Sequence, residues 1–200
     1  MTEVALSCKC GTLKGVLHDA SPSTGTRVVC YCKDCQAFAR HLGAHAVLDA
    51  QGGTDIYQTL PRNLEITSGA ENLACLRLSP KGLLRWYAKC CNTPLCNTLA
   101  NHKFYMVGVL TSTAEAGKDA LGPIRAQVNV NGAIGGGVKS KGQLKAVVEI
   151  LSRQLGAMIW KRTETPLFDD GGTPVVVPVT LSLEERRRAS ETPKLPPDLL

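Results

Sequence analysis

The 200-residue sequence predicts a mainly β protein with metal-binding cysteines and one amphipathic helix in its C-terminal part. Three observations support this prediction. Short Val- and Leu-rich segments alternate with turn residues between residues 44 and 110, which is typical of mainly β folds. Seven of the nine cysteines fall in three tight clusters. Residues 141–160 carry apolar side chains at steps of three and four, which indicates a helix with one apolar face.

The first strands are expected to form a hairpin over residues 4–8 and 12–17. Its turn, Lys9-Cys10-Gly11, lets the thiols of Cys8 and Cys10 point at one ion, and the glycine supplies the unusual backbone angle. A strand containing Val28 and Val29 leads into the central cysteines. Later strands are expected at Ala46–Leu48, Asp55–Thr59, Leu64–Thr67, Ala74–Leu78, Leu83–Tyr87, Tyr105–Leu110 and Arg125–Val130.

Three helices are predicted. A short one over residues 36–42 would have Asp34 as its cap, which places Cys35 at the positive end of the helix dipole. The helix over 141–160 is expected to pack its apolar stripe on the β domain, with a partner helix or a second subunit as the alternative. Leu183–Ser190 is a short charged helix, and Pro193–Pro197 belongs to a flexible tail.

The domain prediction is a zinc-binding β domain over residues 1–131 and an extension over 132–200. The extension comprises a glycine-rich loop, the amphipathic helix and the flexible C-terminal part. The loop at residues 132–140 looks like a phosphate-binding loop, but Val138 separates its last glycine from the Lys-Ser pair. We therefore interpret it as a flexible linker.

Composition excludes several function classes. The net charge of +6 is mild and aromatic residues make up only 4%, so nucleic-acid binding is not favoured. No apolar run approaches the roughly 20 residues of a membrane span, and the first residues do not form a secretory signal. We therefore expect a cytoplasmic protein without a membrane partner, where reduced cysteines favour metal binding over disulfides. The sequence carries no indication of oligomeric state.

The clustered cysteines divide naturally into two zinc sites. Cys8, Cys10, Cys90 and Cys91 would form a closed site that ties the first hairpin to a distant strand end. Cys30, Cys32 and Cys35 would form a site with three thiolates and one open position, where an ion can take water or a substrate thiolate and act as a Lewis acid. We expect two zinc ions per chain, one structural and one catalytic.

Alternatives remain open for individual ligands. Adjacent cysteines seldom both bind one ion, so Cys90 or Cys91 can be a bystander, with Cys96 as the fourth ligand. His41 and His45 follow the central cluster, and each is a candidate fourth ligand or proton carrier, although either can equally be a surface histidine. Cys75 is interpreted as a buried small hydrophobic residue.

The three clusters together resemble the glutathione-dependent formaldehyde-activating enzyme family, which includes centromere protein V. The matching segments are Cys8-Lys9-Cys10-Gly11, Cys30 to Cys35, and Arg85 to Leu95. The resemblance covers about residues 4–110. It implies a small zinc-stapled β-tent fold, with structural ligands at Cys8, Cys10 and Cys91 and a catalytic cluster at Cys30, Cys32 and Cys35.

This chain departs from the family pattern in its last cysteine pair. Ala88 stands where the family has the first cysteine, and Cys90 can supply the missing thiolate. Asn92 replaces a glycine, and asparagine is among the residues that best tolerate a left-handed backbone.

Function follows as a hypothesis with two alternatives. The first is a zinc-dependent carbon–sulfur lyase that acts on the adduct of a small carbonyl compound with a thiol such as glutathione. The alternative is a non-catalytic, zinc-stabilised binding module in which the helix and the basic tail carry the interaction. A redox sensor is a third, weaker candidate.

Overall fold

A computed structural model describes residues 2–114, 117–160 and 164–191 of the chain. Within these ranges the protein has two β-sheets and three α-helices, which confirms the mainly β prediction. None of the described helices combines the length and hydrophobicity that a membrane crossing requires. The predicted flexible segment at Pro193–Pro197 lies outside the described residues.

The strands run in chain order along most of the described sequence. They are β1 Val4–Ser7, β2 Lys14–Leu17, β3 Thr26–Cys30, β4 Thr54–Thr59, β5 Leu64–Ser68, β6 Leu73–Arg77, β7 Leu84–Ala88, β8 Thr93–Thr98, β9 Val107–Leu110, β10 Ala126–Val128 and β11 Val179–Thr180. The helices are α1 Lys33–His41, α2 Gln143–Ile159 and α3 Leu183–Ser190.

The strands form one small sheet and one large sheet. The small sheet is antiparallel, in the order β1-β2-β5. The large sheet has the order β10-β3-β4-β9-β8-β7-β6-β11, and its six inner strands are antiparallel. Its two edge strands, β10 and β11, pair parallel to β3 and β6 and come from the second half of the chain.

The main core contains residues of both sheets. Leu13 and Leu17, from the hairpin, belong to the same buried cluster as Trp86 and Val109 of the large sheet. Trp86 is completely buried, and its indole N–H donates to the hydroxyl of Thr98, which satisfies the one polar atom of that side chain. Burial of these aliphatic and aromatic side chains is what holds the small sheet on the large one.

The chain beyond α2 adds to this core. Leu167 is fully buried in it, and the ring of Phe168 meets Trp86 edge to face with 6.1 Å between centroids. Segments on both sides of the predicted boundary at 131 and 132 therefore pack together.

A second buried cluster joins α1 and α3 to the large sheet. Phe38 of α1 packs with Leu76, Leu78 and Leu181. The N-terminus of α3 is fixed by a capping box in which Ser182 and Glu185 bond each other's backbone N–H groups. The short charged helix predicted at Leu183–Ser190 is confirmed with the same bounds.

The helix predicted over residues 141–160 is confirmed as α2, but its packing differs from the expectation. Its buried residues are Ala146, Gln154 and Ala157, so the helix meets the sheet with small and polar side chains. Glu149 accepts hydrogen bonds from Arg125 at 2.8 Å and from Thr26 at 2.7 Å. The expectation that the apolar stripe packs on the β domain is therefore wrong, because ion pairing and close contact of small residues dock the opposite face.

Other local predictions also needed correction. The strand expected at Ala46–Leu48 is a 3₁₀ turn over His45–Val47, so the apolar run there belongs to a connection. Strand β8 was not predicted, because its residues follow the cysteine pair directly and were interpreted only as part of that motif. The glycine-rich segment is anchored at its start, where Gln36 donates to the carbonyl of Gly132 at 2.8 Å.

The packing of Leu167 yields the first prediction. Leu167→Ala removes a completely buried side chain, so we expect the free energy of unfolding to fall by about 2–5 kcal/mol. Val177→Ala is the matched control, since Val177 is 85% exposed and its truncation is expected to cost less than about 0.5 kcal/mol. Urea unfolding of both variants measures the difference. Equal stabilities would mean that this part of the extension does not belong to the core.

Candidate metal centres

The four-cysteine cluster is built by two turns that are far apart in sequence. Cys8 and Cys10 lie on the β1–β2 turn, and Cys90 and Cys91 lie on the β7–β8 turn. Gly11 and Asn92 follow these pairs with φ angles of 75° and 53°, as predicted for left-handed positions. The backbone N–H of Lys9 donates to the hydroxyl of Thr93 at 3.0 Å, which ties the two turns together.

The sulfur atoms of this cluster have the spacing of a tetrahedral site. All four lie within 4.8 Å of one another. The Sγ atoms of Cys8 and Cys10 are 3.6 Å apart, and that of Cys90 is 3.7 Å from Cys8 and 3.4 Å from Cys10. A tetrahedron of sulfurs around zinc at 2.3 Å has edges of about 3.8 Å. The donor set therefore fits a metal ion held by four thiolates.

Hydrogen bonds favour the thiolate form at Cys10, whereas burial and the neighbouring sulfurs raise the pKa of Cys90 to about 12. Hydrogen bonding with the side chain and backbone of Thr12 lowers the pKa of Cys10 to about 6. The backbone N–H of Leu13 points at the sulfur of Cys8 at 3.3 Å. N–H groups directed at sulfur stabilise the negative charge that a metal-binding thiolate carries.

The three-cysteine cluster lies where β3 runs into α1. Cys30 is the last residue of β3, Cys32 is the N-cap of α1, and Cys35 lies in the first turn of the helix. The sulfur of Cys32 accepts from the backbone N–H of Cys35 at 3.3 Å. Cys32 therefore takes the capping role predicted for Asp34, and the helix begins three residues before the expected position 36.

These three sulfurs also lie within 4.8 Å of one another, with 3.9 Å between Cys30 and Cys35. Cys30 and Cys35 are buried, and Cys32 is partly exposed. Among the described residues, no fourth cysteine, histidine or carboxylate joins the group. The cluster can therefore hold an ion that keeps a coordination position free for another ligand.

Two side chains from other parts of the chain point at these sulfurs. The amide nitrogen of Asn129 donates to Cys30 at 3.3 Å, and the guanidinium of Arg85 lies 3.8 Å from Cys35. Asn129 has a left-handed backbone with φ of 55°, just after β10. Both groups are donors, so the electrostatic environment is suited to thiolates.

Arg85 is buried together with the cluster. Only 1% of the residue is exposed, and its guanidinium donates to Asn97 at 3.2 Å. It stacks over the ring of Phe38 with 5.4 Å to the centroid. A carboxylate oxygen of Asp34 lies 4.0 Å away, at the edge of ion-pair distance.

The pKa values of Cys30 and Cys35 shift in opposite directions, so the negative charge of the cluster is concentrated on Cys30. Hydrogen bonds from Cys32 and Cys35 lower the pKa of Cys30 to about 2, with a smaller contribution from Asn129. The same interactions with Cys30 and Cys32, together with burial, raise the pKa of Cys35, while Arg85 opposes this rise. One thiolate therefore makes the next costly, and a bound cation removes this cost.

The alternative ligands are not brought to either cluster. Cys96 is buried in the main core, where burial raises its pKa, and it lies outside both sulfur groups. Cys75 is buried in β6, as predicted. His41 and His45 are exposed and belong to neither group. The seven cysteines thus assemble in the two predicted groups, while their structural and catalytic roles stay predictions.

A cleft of about 420 Å³ borders the four-cysteine cluster. Cys91 and Thr93 line one side of it, and the segment from Leu42 to Val47 lines another. Among the described residues of this lining, Lys9 alone carries a cationic side chain. Cys30, Cys32 and Cys35 do not take part in it.

Sequence reasoning did not assign a role to Arg85 or Asn129. Arg85 lies inside the motif that carries the family resemblance, and that position was the available signal. Asn129 is almost one hundred residues from Cys30, and nothing in its local sequence indicates this contact.

Comparison with known proteins gives a family without an assigned activity. A family model described as "Family of unknown function (DUF6151)" matches residues 1–177. No curated protein matches the chain. The crystal structure of a Rhodobacter sphaeroides protein aligns with 19% identity over 60% of this chain and 96% of that chain, with a TM-score of 0.40. A similarity of that size establishes neither fold nor function.

The four-cysteine geometry predicts a metal-dependent fold. We expect Cys8→Ser to lose one metal equivalent per chain and to lower the melting temperature, because Cys8 belongs to the site that joins the two sheets. Cys96→Ala is the matched control for metal content, since that thiol lies outside both groups. Elemental analysis tests both variants, and thermal unfolding compares Cys8→Ser with the wild type. Unchanged metal content in Cys8→Ser together with an unchanged melting temperature would contradict a metal site at this cluster.

The contact between Arg85 and Cys35 predicts weaker metal binding in Arg85→Met. Removing the buried cation leaves the thiolate charge uncompensated, so we expect about 10–100-fold lower affinity at the three-cysteine cluster. Arg85→Lys retains the positive charge, so its metal affinity should fall less than that of Arg85→Met. Competition with a chromogenic chelator measures both affinities. The four-cysteine cluster of the same variants is the internal control, and equal losses at both clusters would indicate general unfolding.

Proposed function

We propose that this chain, which belongs to the family of unknown function DUF6151, is a zinc-binding enzyme of carbon–sulfur chemistry. Its substrate class would be the adduct of a small carbonyl compound with a glutathione-like thiol. Cys30, Cys32 and Cys35 would hold the catalytic ion, and Cys8, Cys10, Cys90 and Cys91 the structural one.

One observation carries the proposal: three sulfurs are gathered without a fourth protein ligand among the described residues. A structural zinc site normally has four protein ligands, whereas a catalytic site keeps one position for water or substrate. The donors at Cys30 and Cys35 support a thiolate cluster rather than a group of neutral thiols. Thiolate ligands are the type that zinc prefers.

Bound zinc would supply Lewis acidity, which lowers the pKa of a coordinated thiol and polarises a carbonyl group. The protein's own residues would set the geometry. The N-cap position holds Cys32 at the partly exposed side of the cluster, while Cys30 and Cys35 are buried behind it. A substrate thiol would therefore approach from the Cys32 side.

The proposed chemistry is addition of a thiol to an aldehyde and its reversal. In the direction of addition, the thiolate sulfur forms a bond to the carbonyl carbon and the C=O π electrons move to oxygen. The oxygen then takes a proton from water. In the lyase direction the hydroxyl loses that proton and the carbon–sulfur bond breaks to release thiolate and aldehyde. Neither direction needs an oxidant or a reductant.

The family resemblance supports the same proposal. The cysteines that match the formaldehyde-activating enzymes by sequence fall into two spatial groups in this chain. We also propose that the two sheets, joined beside the four-cysteine cluster, form the zinc-stapled β-tent that the resemblance implies. A cytoplasmic location belongs to the same proposal, because reduced thiols are required for both groups.

A non-catalytic binding module is the second candidate function. It is favoured by the position of the 420 Å³ cleft, which borders Cys91 and is not lined by the three-cysteine cluster. In that case both metal ions would be structural and the cleft would receive a ligand. The two candidates differ in whether a thiol binds at the three-cysteine cluster.

The test begins with metal counting. We expect two zinc ions per chain in the wild type, one in Cys32→Ser and two in Cys96→Ala, with the fold retained in all three. Calorimetry with glutathione should then show binding to the wild type and Cys96→Ala, and none to Cys32→Ser. NMR should show that the same two proteins accelerate adduct formation from glutathione and formaldehyde.

Each unfavourable result has a distinct meaning. Two zinc ions without thiol binding or rate acceleration would exclude the lyase proposal and favour the binding module. Two ions remaining in Cys32→Ser would exclude the three-cysteine cluster as the second metal site. Glutathione binding that survives in Cys32→Ser would place the thiol elsewhere, with the cleft beside Cys91 as the next site to test.

A further inference from the structure

We propose that α2 is a self-association surface, on which a second copy of this chain packs its own α2 in antiparallel orientation with the two-fold axis at Leu151. This inference is independent of the proposed function, since it uses no residue of either cysteine cluster. It rests on an apolar stripe that the fold leaves exposed, on the symmetry of that stripe, and on the position of the neighbouring charges.

The stripe contains the large apolar side chains on the outer face of α2. Leu144, Val147, Leu151, Leu155 and Met158 are between 43% and 79% exposed. Val148 and Ile159 widen it and are also more than half exposed. A continuous exposed apolar surface of this kind is uncommon on a monomer and marks an interaction site.

Helical geometry places these residues on one line. At 100° per residue the seven side chains fall within an arc of about 120°, which is the width of a helix–helix contact face. Leu144, Val148, Leu151, Leu155 and Met158 follow one another at steps of four and three. This is the spacing of the a and d positions of a coiled coil.

The stripe is symmetric about Leu151. Leu144 and Met158 lie seven residues on either side of it, and Val147 and Leu155 lie four residues on either side. An antiparallel copy centred on Leu151 therefore meets Leu144 with Met158, Val147 with Leu155, and Leu151 with itself. Such self-complementarity is the requirement for a closed two-fold interface.

The charged side chains of α2 do not oppose this arrangement. Glu149 is bound to Arg125 and Thr26, and Arg153 donates to the Thr26 hydroxyl at 2.6 Å, so both are directed at the sheet. Lys145 is exposed beside the stripe. Antiparallel pairing about Leu151 separates the two copies of position 145 by about 18 Å along the axis, beyond a Debye length. Parallel pairing would bring them together.

A second copy fits this surface better than a lipid bilayer does. Helices that lie on membranes carry Lys and Arg along the face opposite the apolar one, where they meet headgroups. In α2 that face is docked on the sheet through Ala146, Gln154 and Ala157.

Mass measurement tests the proposal. Light scattering coupled to size exclusion should give the full-length wild type twice its 21.3 kDa chain mass, and Leu151→Glu the mass of one chain. Burying two carboxylates against each other at the two-fold axis is strongly unfavourable. We expect at least a 100-fold weaker dimer in sedimentation equilibrium, with unchanged circular dichroism because Leu151 is exposed.

Val177→Glu is the matched control. It places the same carboxylate on an exposed aliphatic position, in the segment leading to β11 at the opposite edge of the large sheet from β10, where α2 packs. This variant should remain a dimer. The proposal would be overturned by a wild type that stays monomeric at 100-fold the concentration used for light scattering. A dimeric Leu151→Glu variant would also overturn it. Monomeric wild type that floats with phosphatidylserine-containing vesicles would assign the stripe to a membrane surface instead.

Charge pairing tests the orientation. Leu144→Lys and Met158→Glu should each weaken the dimer, because each leaves an unpaired charge against an apolar side chain. The double variant should recover much of the affinity, because antiparallel packing joins position 144 of one copy to position 158 of the other. Failure of the double variant to recover would exclude antiparallel pairing about Leu151.

Discussion

The guanidinium of Arg85 lies inside the protein with 1% of the residue exposed, and a cation in that position has to be matched by negative charge or dipoles. Its neighbours are the sulfur of Cys35, the amide oxygen of Asn97, the ring of Phe38 and, more distantly, Asp34. These residues belong to α1 and β8, so one buried charge fixes how the helix sits on the sheet. The three-cysteine cluster depends on this arrangement, because it sets where Cys35 meets the end of β3.

Local patterns were sufficient to predict much of the fold and both sulfur groups. Cys-x-Cys and Cys-x-x-Cys steps constrain their own geometry, and short alternating runs indicate strands wherever one face is buried. The contacts of Arg85 and Asn129 with the sulfurs were beyond such reasoning, since each joins segments that only the sheet order brings together. The strand wrongly expected at Ala46–Leu48 shows the reverse problem: three apolar residues fit a strand or a connection equally well.

Helix α2 shows a further limit of pattern reasoning. Periodicity reveals that a helix has an apolar face, but not that this face is directed at its own domain. Here the face that docks contains Ala146 and Ala157, which allow close approach, and Glu149, which accepts a hydrogen bond from the Thr26 hydroxyl of β3 and forms an ion pair with Arg125 before β10. The hydrophobic face of α2 stays exposed and is available for contact with another molecule. An amphipathic pattern thus carries two kinds of information, about packing within the chain and about packing between chains.

The large sheet ends on both sides in short strands that come late in the chain. β10 has three residues on β3, and β11 has two residues on β6. Short edge strands protect a sheet from pairing with other chains. During synthesis, however, the six inner strands are complete by residue 110, while their coverings emerge only later. On the ribosome the edge of β3 would therefore stay open until β10 ends at residue 128, and the edge of β6 until β11 ends at residue 180. While these edges are open they can pair with other chains, so aggregation competes with folding until β11 has been added.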